Sequence, residues 1–550
     1  MTGVATQPAT LAPPRPAGPL AGARELTKLA IRRDRIMLPI WIYLLLAIAG
    51  SGGFALKKIY STAAERATLI RSIGHDQALS FLYGQLHGNS LGALAAWRYL
   101  VYAALAAGLM SIFLVVRHTR GDEETGRLEL IGSTVVGRHA PLAVALTVAA
   151  VANAVVLVLT AAVLAASGLP LAGGFAFGLA EAGCGLVFAA VAAIAAQISG
   201  TARGARSIAI TAIAVVFFLR GVGDSGGSHH LSWLTWLSPI GWAELLRPFG
   251  GERWWVIALP VAATIAGIAV AFLLAGYRDQ GAGLVPPRPG PATASVLLAG
   301  PAGLSWRLLR GAVAGWAAGF LVGGLAIGVV ANGIGQLIGS RQGAVAETLV
   351  RIAHQNALTN AYLAACMSLV GMAAAAFAVA AVLRLRTEET DGRAEPLLAA
   401  PVGRVSWGAS HLLVTAAATV AVLVTGGLGV GLGYGLASSS LSTQLPRLLG
   451  ASLVQIPASL LIGAAAAAAV GLLPRWSVTA GWTVFGIAVV IAVLGPGFRL
   501  TQAVLDISPF THVPALPGGL LTAAPLIWLS AAVVAATAAG LAGLRRRDIG

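Results

Sequence analysis

Lysine is almost missing from this chain: only Lys28, Lys57 and Lys58 occur, and none follows a glycine. A phosphate-binding loop needs Gly-Lys-Ser or Gly-Lys-Thr so that the ammonium can reach the terminal phosphates. No such loop exists here, and ATP hydrolysis is not expected of the chain itself. Cysteine is as scarce. Cys184 and Cys366 each lie inside an apolar run, which supports neither a disulfide framework nor a thiolate metal site. His75 and His354 have no His, Cys or carboxylate set at zinc spacing, and His229-His230 is a lone pair in a Gly/Ser loop. No metal site is read from them. Charge is also short, at 10% of residues against about 25% in an average soluble domain.

Apolar residues and glycine take up the space. With 57% hydrophobic residues, a mean hydropathy of +0.83 and 69 Gly, the chain is too apolar for a soluble protein and suits close helix packing in lipid. The expected class is an all-α polytopic membrane protein. Runs of about 20 apolar residues cross the hydrocarbon core. They fall near 37–56, 97–116, 141–166, 171–197, 206–222 and 254–276, then near 311–334, 361–383, 409–437, 448–473, 478–494 and 523–544. Residues 1–36 form a Pro-rich tail and a basic amphipathic helix (Arg24 to Arg35) ahead of an anchor that stays. The net charge of +16 comes from arginines scattered among loops, so nucleic acid is not an expected partner. Roughly two-thirds of the Lys and Arg fall on one side if both termini are cytoplasmic, the orientation favoured by the positive-inside rule.

The same words occur twice. Glu123-Glu124-Thr125-Gly126-Arg127-Leu128-Glu129, closing at Gly137-Arg138, returns as Glu388-Glu389-Thr390-Asp391-Gly392-Arg393-Ala394-Glu395, closing at Gly403-Arg404. Matched letter by letter, Asp391 is an extra residue and Pro396 replaces Leu130. Other landmarks keep the same order: Thr68 to Arg71 with His75 against Thr348 to Arg351 with His354, and Leu237-Ser238-Pro239 against Ile507-Ser508-Pro509. Arg278-Asp279 likewise matches Arg547-Asp548. A duplicated chain follows: a six-helix half over 37–280, a Pro-rich linker and second entry helix over 281–310, and a six-helix half over 311–550. An even number of spans per half makes the repeats parallel.

The basic leading helix, the Glu-rich Gly-Arg-x-Glu segment after the second span and the Ser-Pro element before the last span resemble the permease subunit of an ABC exporter of the ABC-2 (type V) class. The doubled length resembles the fused polyketide or tetronasin-type antibiotic exporters of actinobacteria. The resemblance implies a pseudo-dimeric fold in the plasma membrane. It also implies coupling helices at Glu123, Glu124, Gly126, Arg127, Glu129, Gly137 and Arg138, and at Glu388, Glu389, Gly392, Arg393, Glu395, Gly403 and Arg404. These would dock two copies of a cytosolic ATPase subunit that holds ATP and Mg, with no cofactor on this chain.

It further implies a substrate path between the halves for a hydrophobic small molecule. Candidates along it are Tyr99, Tyr102, Met110, Phe113, Phe217, Phe218, Tyr362, Met367, Met372, Phe377, Trp482 and Phe485. Glu181 is the only acidic residue within the assigned apolar runs, with Gln455 as its counterpart. An intramembrane carboxyl is a functional candidate by default. Ser238-Pro239 and Ser508-Pro509 are read as extracellular gate elements, since irregular backbone at membrane depth needs cover. Two alternatives stay open: a proton-coupled twelve-helix transporter, and an ABC-2 permease for lipid or polymer.

Overall fold

A segment in hydrocarbon has no water for its N–H and C=O groups, and a helix pairs them all internally. The computed structural model describes residues 18–59, 62, 66–67, 70, 77–132, 134–225, 232–279, 281–286, 292–293, 295, 300–339, 346–494 and 501–547. Each of the twelve apolar runs carries a helix. The tail before residue 18, most of the Thr68 to His75 landmark, His229-His230, much of the Pro-rich linker, Arg499 and the last three residues lie outside the described residues, as do the side chains of the Thr348 to His354 landmark.

Ten helices are long and apolar enough to cross a membrane as they stand. The other two expected spans run up to residues outside the described ones: Met37–Ile59 is a helix of 23 residues and Ser477–Leu494 one of 18. Met37–Ser51 meets the charged Ala23–Arg33 across a 67° bend, and only the pair passes together. The described part of the eleventh, Ser477–Val493, is apolar. The bent pair raises the count to eleven among the described residues, against the twelve expected.

The chain divides into two compact units, Met1–Pro289 and Gly290–Gly550. In the first, the fourth-span helix Leu171–Ile198 is central, packed by the second-, third-, fifth- and sixth-span helices. In the second, Gly300–Gly339 packs along Arg404–Ala437. Glycines let these two backbones touch: a Cβ on Gly328 would stand 2.3 Å from the Val430 carbonyl oxygen, and one on Gly433 2.2 Å from that of Leu325. Apolar side chains gain little by leaving lipid for protein, so close backbone approach supplies much of the attraction between such helices.

Candidate functional site

The repeated acidic words lie where the second- and eighth-span helices end. The first of these helices starts at Leu91 and runs through a widened turn, Arg117–Gly121, to Glu124, then restarts as Arg127–Gly132. The second covers Ala346–Thr390 and restarts as Ala394–Ala399. Between each pair sits a glycine in the left-handed region, Gly126 at φ +68° and Gly392 at φ +69°. A Cβ there costs about 1–2 kcal/mol, so glycine makes both stops.

Charged contacts then fix which residues correspond. Arg120 Nη1 donates to Glu123 Oε2 at 2.7 Å, and Arg278 Nη2 donates to Glu123 Oε1 at 2.5 Å. In the second half Arg386 Nη1 donates to Glu389 Oε2 at 3.0 Å, and Arg547 Nη2 donates to Glu389 Oε1 at 2.5 Å. Arg127 faces Asp122 at 3.5 Å, as Arg393 faces Glu388 at 2.8 Å. Arg138 donates to the carbonyls of Ala275, Gly276 and Arg278 at 2.9–3.2 Å, and Arg404 donates to that of Arg547 at 2.7 Å. All these pairs fall at one constant offset along the stretch Arg120 to Arg138.

This register corrects the letter-by-letter match. Glu123 corresponds to Glu389 and Asp122 to Glu388, and Asp391 is not an insertion but stands where Thr125 does. Shared letters misled because the acidic run slipped by one position, whereas the stop glycine and the ion pairs did not.

Each acidic segment is therefore pinned to the end of its own half's last helix. Glu123 and Glu389 are largely buried. Arg120 is fully buried and also bonds the carbonyls of Ala196 and Ala282, at 2.5 and 2.7 Å. Removing one partner of such a pair leaves an uncompensated charge, at a cost of about 3–5 kcal/mol in a buried setting. The outward residues are others. Arg127, Glu129, Arg393 and Glu395 are exposed, and exposed Glu124 accepts from the Ala202 backbone N–H at 2.9 Å, capping the fifth-span helix. Gly137 is buried against Pro19, and Gly403 is exposed. Sequence reasoning missed Arg120, Arg386, Arg278 and Arg547 as partners. The Arg278-Asp279 and Arg547-Asp548 landmarks were their only signal.

Residues 298–545 match the profile described as the C-terminal domain of the multidrug efflux system permease Rv1217c. Over 539 residues, 98% of this chain and 97% of its relative, the sequence is 40% identical to the multidrug efflux system permease protein Rv1217c of Mycobacterium tuberculosis. The chain belongs to this permease family.

Inside this permease the substrate-path candidates take several kinds of position. Met110, Met367 and Phe377 are fully buried within their own halves, and Met372 is nearly so. Phe113 stacks on Trp41 at 6.0 Å, and Trp482 meets Phe485 edge-on at 5.7 Å. Tyr362 packs beside Met367. Tyr99 is half-buried, whereas Tyr102 and Phe218 are exposed. Tyr102 leans on Tyr83, and both Phe217 and Phe218 lean on Phe81. Glu181 is fully buried and accepts from Thr160 Oγ1 at 2.9 Å, its Oε1 lacking a partner among the described residues. Gln455 is buried where its span breaks between Leu441–Leu453 and Ile456–Leu472.

At the end of the first half opposite the acidic segment, Ser238 caps Pro239–Leu245 through the Gly241 N–H. In the second half Ser508 donates to the Ala488 carbonyl at 2.8 Å, ahead of a short turn of helix at Pro509. Here the permease holds charges that the sequence reading left out. Arg220 is fully buried, donates to Glu244 Oε1 at 2.7 Å and faces Asp224 at 3.6 Å. Glu181 is thus not alone: Asp224 is also acidic and buried within a span. Burial pushes the Glu244 carboxyl well above its ordinary value, and the adjacent Arg220 guanidinium pulls the other way.

Proposed function

We propose that this permease is the membrane-spanning subunit of an ATP-driven exporter that moves hydrophobic drugs or antibiotics out of the cell by alternating access. Efflux of many drugs is what the name of the mycobacterial relative describes. The chain has no Gly-Lys-Ser/Thr loop, so the motor is a separate nucleotide-binding subunit that supplies ATP and Mg. Two acidic segments, one per half, take two copies of it on the cytoplasmic side, where the arginine bias also puts both termini.

The observation that carries this reading is the duplicated latch. The same glycine stop, the same Arg-Glu-Arg triad and the same arginine on the last helix's carbonyls occur in both halves. A solvated loop has no need of such an arrangement, whereas a lever does: force on the exposed Arg127 and Glu129, or Arg393 and Glu395, passes through Glu123 or Glu389 into the last span. ATP-driven closure of the motor then switches each half between two packings as a rigid body.

Reversing Arg127→Glu and Arg393→Glu together tests this. Both side chains are half exposed, so the chain should still insert, while permease-stimulated ATPase activity drops to the basal rate of the motor alone. Unchanged export by the double variant would count against the docking assignment. Export by the purified chain in vesicles on a proton gradient, indifferent to ATP, would replace the reading with the proton-coupled one.

A further inference from the structure

The first half carries a groove beside the acidic segment, sharing Arg127 with the proposed docking surface. Between the leading helix Ala23–Arg33 and the start of the third-span helix lies a cavity of about 470 Å³, open on one side. Leu26, Leu29, Leu128 and Val144 wall it, and three guanidiniums, Arg32, Arg33 and Arg127, reach it with one lining carboxylate, Asp122; His118 also lines it but is held by Asp34 behind it. Asp122 bonds Arg33 and faces Arg127, which leaves Arg32 exposed and the cluster with excess positive charge.

The helix forming one wall has an interfacial pattern. Arg24, Lys28 and Arg32 recur one turn apart and are exposed, while Leu29 and Ile31 also stay exposed, at 56% and 46%. The 67° bend at its end turns it across the first span. A short charged helix with uncovered leucines, set across the spans, lies at a membrane surface.

We propose that this groove binds one anionic phospholipid, with an acyl chain along the leucine wall and its phosphate on Arg32 and Arg127. The chemistry selects among occupants. A zwitterionic lipid brings an ammonium to a cationic rim, a soluble phosphate leaves the apolar wall bare, and a neutral drug leaves the guanidiniums without an anion. In the second half Gly300–Gly339 is a single unbroken helix, and the described residues hold no bent leading helix to make an equivalent groove.

The test is native mass spectrometry of the full-length permease in detergent, titrated with phosphatidylglycerol or phosphatidylcholine. The wild-type chain should hold one phosphatidylglycerol in preference to phosphatidylcholine. Each surface arginine contributes about 1 kcal/mol to anionic lipid binding, so Arg32→Gln with Arg127→Gln should weaken capture roughly 30-fold. Arg307→Gln with Arg310→Gln, exposed arginines of the second half, should leave capture unchanged. Leu29→Glu, at an exposed wall position, should abolish capture with every arginine intact. Glycerol phosphate at matched concentration should not compete. Equal capture by Arg32→Gln/Arg127→Gln and Leu29→Glu, loss in the second-half control, or displacement by glycerol phosphate would each overturn the proposal. Because the readout is lipid bound, failure here leaves the docking assignment standing, and the reverse also holds.

Discussion

Glu123 and Glu389 are where the residue-scale account is most exposed to test. Each sits between two guanidiniums, one three residues earlier and one at the end of the last helix. Glu123→Arg or Arg278→Glu alone should destabilise the first half by about 3 kcal/mol, and the exchanged pair should recover most of it; a thermal-unfolding double-mutant cycle in micelles measures the coupling. Gly126→Ala and Gly392→Ala act on the backbone instead. At φ near +70° each should cost about 1 kcal/mol locally, read as roughly fivefold faster amide exchange confined to the mutated stop. At this scale the sequence was only partly legible. It marked the acidic words as special, because charge is rare and the words recur. It could not show which carboxylates face inward, since partners such as Arg278 lie far along the chain and join only when the last helix returns to the same membrane surface.

At the scale of elements, hydropathy located a helix in each of the twelve apolar runs, because in lipid the backbone has little alternative once a run is long and apolar. The bend ahead of the first run did not show in it. Nothing in a window of apolar residues announces a bend beside Asp34, a fully buried carboxylate that holds His118 at 2.5 Å and Arg117 at 3.3 Å. The glycine-rich ninth span was readable as a packing face in composition but not in its partner. That contact makes a prediction of its own. Gly433→Val places side-chain atoms where the Leu325 backbone now lies, so the two helices must separate. The permease should then unfold at a lower temperature in micelles, while Gly311→Ala, where the added methyl meets no described atom within 4 Å, should leave the midpoint unchanged.

For the whole molecule, the organising reading is duplication, argued from ordered landmarks rather than overall similarity, since Ala-rich apolar sequence resembles itself by chance. The structure divides at Pro289, inside the Pro-rich stretch, and membership of the Rv1217c family rests on similarity along nearly the entire length. The halves are not equal, however. The buried Arg220, Asp224 and Glu244 cluster and the groove beside Ala23–Arg33 belong to the first, so two identical motors would act on unlike halves. Arg220→Gln should then impair export strongly while leaving both docking contacts in place, measured as drug accumulation beside unchanged ATPase-subunit capture.

The central claim is that both acidic segments touch one kind of separate motor. A photo-crosslinking amino acid at Arg127, at Arg393, and as a control at exposed Leu520, in cells expressing the permease with its nucleotide-binding partner, tests it most directly. The account predicts that positions 127 and 393 both capture the same ATPase subunit and that position 520 captures none. Capture at 520, or none at 127 and 393, would contradict it.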